Sequence, residues 1–219
     1  MKRNILLLIP CLMVFLTGFM SCAEDTEVVD PYVDWQARNE HYLDSIVSVA
    51  RANVDGDWEI YRNWKVNNDN SSLTYPYETP ANETDSVYMR IIEPADPDGI
   101  TPLYTDSVYA YHRGSLINGT VFDSCYEGEL NTEIHSPITF TLNGVINGWT
   151  TALQQMKEGE RVMLYIPSDL GYGDNGNSDG GIPGHSVLIF DLKLEKVVHP
   201  IGPDDRSRAT DTEEQQENE

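Results

Sequence analysis

Residues 145–173 read VINGWTTALQQMKEGERVMLYIPSDLGYG. Within this stretch the apolar pattern changes once. Trp149, Leu153 and Met156 fall on one helical face, and their spacing predicts a short helix between Trp149 and Lys157. Arg161 to Ile166 then reads as a strand. Outward from there, further strands are predicted at Ile138 to Leu142 and at Val187 to Val197, the latter stopping before Pro200. Ser86 to Ile92 and Ser107 to Tyr111 are two more β-branched and aromatic runs. The turn residues Pro94-Ala95-Asp96-Pro97-Asp98-Gly99 separate them. Several strands and one helix in this order predict an α+β architecture, an antiparallel sheet with a helix laid on it.

The segment before the sheet has a different pattern. Asp34 is placed to cap a helix starting near Trp35. Trp35, Tyr42, Ile46, Val49 and Ala50 give it an apolar face, and Val54-Asp55-Gly56-Asp57 should end it. A helix of this size is not stable alone. It should dock on the following domain or on a second copy of the chain, as a homodimer. Trp58 to Val66 is read as a strand and Asn67 to Ser72 as a polar loop.

Residues 1–21 carry a signal of another kind. Lys2 and Arg3 precede a mostly apolar run from Ile5 to Phe19, too short to span a bilayer and consistent with a signal peptide. Gly18-Phe19-Met20-Ser21-Cys22 resembles a bacterial lipobox. That resemblance implies lipidation of Cys22 and a cell-envelope location, on an outer membrane with a periplasmic or surface face. The partition expected is a signal peptide at 1–21, an acidic tether at 22–33, an N-terminal extension at 34–84, a folded domain at 85–200 and a disordered acidic tail at 201–219. With Cys11 removed and Cys22 lipidated, Cys125 has no partner for an internal disulfide. The 219 residues carry 36 Asp and Glu against 14 Lys and Arg, which argues against nucleic acid as a partner.

Five elements in the domain then fall in one order. They are His112-Arg113-Gly114-Ser115-Leu116 through Phe122-Asp123-Ser124; Val145-Ile146-Asn147-Gly148-Trp149; Leu153 to Gly159; Ile166-Pro167 through Tyr172-Gly173; and Gly181-Ile182-Pro183-Gly184-His185 with Leu188-Ile189-Phe190-Asp191. Singly, each is weak: Trp149, Ile146 and Phe190 could be ordinary core, and Asp123 a turn residue. In this order they resemble the FKBP-type peptidyl-prolyl cis-trans isomerases. The resemblance implies an FKBP-like twisted antiparallel β-sheet wrapped on a short α-helix, here with an N-terminal helical extension. It implies rotation about the peptide bond before proline, with no cofactor. Proline-containing peptides or unfolded exported proteins would be the partners, and a macrolide a further ligand.

Carried onto matching positions, Phe122, Val145, Ile146, Trp149 and Phe190 would form a pocket with Trp149 as its floor. Tyr172 would donate to a substrate carbonyl. Ile182 would offer its side chain and its backbone N–H, and Asp123 would stand at the rim. The family's Tyr falls at His112, and the aromatic expected after Pro137 is Ile138. These departures keep two function classes open: a prolyl isomerase, and an FKBP-like binding module with little turnover. Asn175 to Gly180 imitates the start of a calcium loop but has Ser186 where the twelfth-position Glu belongs. The five His residues have no metal-ligand spacing, so no metal site is expected.

Overall fold

Along the last strand, Leu188, Phe190, Leu192 and Leu194 are buried, while the residues between them are only partly covered. This alternation lays one face of the sheet on the core. In the computed structural model, which describes residues 30–65 and 82–200, that strand is central. The chain divides into two units, Met1–Pro31 and Tyr32–Glu219; the second holds every helix and strand among the described residues. The expected signal peptide at 1–21, Cys22, the polar loop expected at 67–72 and the expected acidic tail at 201–219 lie outside the described residues.

The strands are β1 (Trp58–Arg62), β2 (Ser86–Glu93), β3 (Ser107–Ser115), β4 (Val121–Ser124), β5 (Ile138–Thr141), β6 (Arg161–Ile166) and β7 (Leu188–Val198). The helices are α1 (Trp35–Ala52) and α2 (Asn147–Leu153). All strand pairs are antiparallel, in the order β1-β2-β6-β7-β3-β4, with β5 also on β3. Val162, Leu164 and Ile166 of β6 join the inner residues of β7 and β3 against Trp149, Ala152 and Leu153 of α2. A side chain on Gly148 would run into Ile166, so glycine lets α2 lie directly on the sheet. The helix is shorter than predicted. Met156 lies just past the turn that follows it, yet is fully buried.

The opposite face is closed by α1. Leu43, Val47 and Ala50 pack with Tyr88 and Val187, and Tyr42, Ile46, Trp58 and Tyr165 border them. Trp35 Nε1 donates to Ser186 Oγ at 2.9 Å. Asn39 donates to Trp35 O at 2.8 Å and accepts from the Val187 N–H at 2.8 Å. The buried face is therefore Trp35, Asn39, Leu43, Val47 and Ala50, and Val49, expected inside, is 53% exposed. Asn39 can be buried because both ends of its amide are satisfied. Asp34 does not cap with its side chain. It adopts a left-handed conformation (φ 52°), and its carbonyl accepts from the Arg38 N–H. The helix thus docks on its own chain. The strand predicted over 58–66 ends at Arg62, and Trp64 meets the Tyr104 ring in a tilted contact at 4.6 Å.

A polar network fixes the loop after β4 to the sheet. Arg161 donates twice to Asp191, both at 2.8 Å, and once to Glu93 at 2.9 Å. Tyr126 donates to the same Asp191 carboxylate at 2.8 Å. Hydrogen bonds from Lys193 and then Arg161 hold the Glu93 carboxyl below its ordinary range. Burial, and then the bond to Asp191, push the Tyr126 phenol upward. Tyr111 is buried beneath the same loop, its hydroxyl 3.5 Å from His135 O.

Candidate active site

Trp149 lies in the first turn of α2, 4% exposed. Three rings meet it edge-on: Phe140 of β5 at 5.0 Å, Phe190 of β7 at 5.2 Å and His112 of β3 at 5.5 Å. Phe122 of β4 extends the cluster, perpendicular to Phe190 at 5.5 Å. Such T-shaped contacts suit the positive edge and negative face of aromatic rings. Gly114 makes the arrangement possible. A Cβ there would stand 2.6 Å from the Phe122 ring and 2.7 Å from Phe190.

Strand alternation decides which of Tyr111 and His112 faces this cluster. Val108, Ala110, His112 and Gly114 point inward in step. The register irregularity sits on the partner strand, where Tyr109 pairs Lys196 and Ala110 pairs Leu194, so Glu195 is the extra residue. His112 is 1% exposed. Its Nε2 lies 3.1 Å from Asp123 Oδ2, yet neither ring nitrogen has an aligned hydrogen bond. The Asp123 side chain is 62% exposed and stands at the rim. Cys125 is half-buried, and its sulfur accepts from the His112 backbone N–H at 3.2 Å.

Val145, Ile146 and Tyr172 are partly buried against the core that contains Trp149. The Tyr172 hydroxyl makes no hydrogen bond among the described residues, so it is free to donate to a ligand. Ile182 is buried and packs in the same core. Its backbone N–H, however, donates to Asn177 O at 2.8 Å and closes the loop with the reciprocal bond. The Ile182 N–H offered from the sequence as a ligand donor is therefore already used. Ile138 lies on the same face of β5 as Phe140 but is 44% exposed. The aromatic that packs on Trp149 is Phe140, two residues later. Its signal was present in the period of two along Ile138-Thr139-Phe140.

Two clefts lie elsewhere. One of about 720 Å³ runs beside Glu93, Glu129, Glu133 and Lys193, and one of about 470 Å³ beside Arg113, Cys125 and Tyr126. Their walls are polar or open, and neither includes Trp149. The aromatic cluster is the better candidate on chemistry, since it combines apolar rings with a few polar groups.

Residues 100–195 match the family model described as FKBP-type peptidyl-prolyl cis-trans isomerase. The FKBP-type peptidyl-prolyl cis-trans isomerase FkpA of Aeromonas hydrophila is 39% identical over 111 residues, 50% of this chain and 38% of that protein. The macrophage infectivity potentiator of Trypanosoma cruzi is 46% identical over 96 residues, 44% of this chain and 45% of that protein. FkpA of Escherichia coli K12 is 41% identical over 100 residues, 45% of this chain and 34% of that protein. The chain spans less than half the length of these curated relatives. A solved peptidyl-prolyl cis-trans isomerase from Pseudomonas syringae pv. tomato superposes with a TM-score of 0.53 at 24% identity, covering 78% of this chain and 98% of that one. The fold is the FKBP fold, an antiparallel sheet with its helix, here preceded by the N-terminal helix α1.

Proposed function

We propose that the chain, whose residues 100–195 match the FKBP-type isomerase family, is a peptidyl-prolyl cis-trans isomerase of the cell envelope that assists folding of exported proteins. The carrying observation is the ring cluster around Trp149, edged by Phe122, Asp123 and Tyr172. Rotation about an Xaa-Pro amide faces a barrier of about 18–20 kcal/mol because twisting breaks amide resonance. Uncatalysed exchange takes roughly tens to hundreds of seconds. No nucleophile or metal is required. An apolar pocket strips water from the amide and disfavours its dipolar planar form relative to the twisted one. Trp149 supports the proline ring, and Phe122, Val145, Ile146 and Phe190 wall it. Tyr172 donates to a carbonyl of the bound peptide, and the Asp123 carboxylate acts at the rim.

The chain lacking residues 1–22 should accelerate a proline-limited refolding reaction about tenfold at micromolar concentration. A folded protein that gives no acceleration would favour the second reading, a module that binds proline peptides without turnover. Two placements support that reading: His112 where the family has Tyr, and Ile138 exposed at the rim. A lipid anchor on Cys22 is part of the same proposal. Cys22→Ser should move the protein from the membrane to the soluble fraction on ultracentrifugation, and a variant that still sediments with membranes rules the anchor out.

A further inference from the structure

Of the three rings packed edge-on against Trp149, His112 alone can change its charge. It is buried, and its two ring nitrogens are without aligned hydrogen bonds. An unpaired buried polar atom is unfavourable, and such an atom in a ligand cluster calls for a partner. The elements around the ring are mostly neutral. Phe140 comes from β5, Trp149 from α2 and Leu192 from the paired position of β7, while the Cys125 sulfur takes the backbone N–H. Asp123 of β4 is the only carboxylate within 4.0 Å of the ring nitrogens among the described residues. At 3.1 Å, Nε2 and Oδ2 have the separation of a hydrogen bond without its alignment.

We propose that His112 is a proton-dependent positioning residue that sets the Asp123 carboxylate over the Trp149 pocket. When the imidazole takes a proton, Nε2–H donates to Oδ2 and the contact becomes a charge-assisted bond. The carboxylate then turns inward, from the solvent that now covers most of it. When the proton leaves, the ring keeps one N–H, the contact loses its charge assistance and Asp123 is held less tightly. The second ring N–H gains no partner in the pair, so the charged form depends on Asp123 staying ionised. The device rests on the isomerase reading for its consequence, because Asp123 stands at the rim where the twisting amide would lie.

The test follows the side chains and the reaction together. In the chain lacking residues 1–22, the His112 Cε1–H resonance and the Asp123 amide are titrated by NMR. Both should move with one midpoint, and Asp123→Asn should shift the His112 midpoint to lower pH. Turnover of an Xaa-Pro peptide, read as kcat/KM, should rise roughly two- to fivefold as pH falls through that midpoint, the size expected of a partly solvated ion pair. His112→Tyr, which keeps a ring with a hydroxyl donor but cannot take up the proton, should stay folded and give a flat pH profile whatever its absolute rate. An Asp123 amide that ignores the His112 titration overturns the proposal, as does an unchanged pH profile in His112→Tyr. A protein inactive at every pH removes the isomerase reading, while the shared midpoint still decides the positioning.

Discussion

Trp149→Ala is expected to cost about 3–5 kcal/mol of folding stability and to abolish proline-peptide binding. The indole is 4% exposed and touches Phe140, Phe190 and His112, so its loss empties the space on which three rings rest. The helix that carries it cannot slide inward to refill that space, because Gly148 already brings its backbone against Ile166. A domain with an ordinary reserve of about 5–15 kcal/mol would remain folded but marginal. Denaturant unfolding measures the loss. Trp149→Phe separates packing from polarity. The indole Nε1 has no hydrogen-bond partner, so removing it forfeits no bond, and a ring is kept; the cost should stay under about 1.5 kcal/mol. If Trp149→Ala costs no more than Trp149→Phe, the ring cluster does not hold the core together.

Legibility in the sequence followed the range of the interactions. α2 and β6 could be read from local periodicity, because both bury one face against the same core. The face of α1 could not. Asn39 is inside because its amide reaches the Val187 N–H, 148 residues away along the chain, and no local pattern contains that partner. Asp34 looked like a cap by residue type, yet its left-handed backbone leaves the carbonyl to begin the helix. At the site, Phe122, Trp149 and Phe190 were found by motif and the structure brings them together. The motif points to Ile138, which is exposed, whereas alternation puts Phe140 on the same face and it is Phe140 that packs on Trp149. The motif offers the Ile182 N–H to a ligand, but that group is bonded to Asn177 O across the loop. Motifs point to side chains that the structure places in one cluster. They did not report which backbone groups the loop had already paired.

Phe122→Ala should separate activity from stability, in contrast to Trp149→Ala. Phe122 lies on β4, a four-residue strand at the end of the sheet, and it is only partly buried. Its main ring contact is the perpendicular one to Phe190. Removing it exposes one wall of the cluster without opening the interior, so the stability loss should be about 1–2 kcal/mol, well short of a fully buried Phe. The bound proline loses more. On the proposed mechanism it loses the apolar surface that would keep water from the amide on the side where Asp123 stands, and with it the dryness that would disfavour the planar form. A fall in kcat/KM of about 10- to 100-fold is expected, about 1.4–2.8 kcal/mol of transition-state stabilisation. Phe122→Leu, which restores part of the wall, should recover part of the rate. Gly114 makes the dependence reciprocal, since it leaves the space in which the Phe122 and Phe190 rings meet. Activity within about twofold of the unaltered protein in a folded Phe122→Ala variant would place the reacting amide away from this wall.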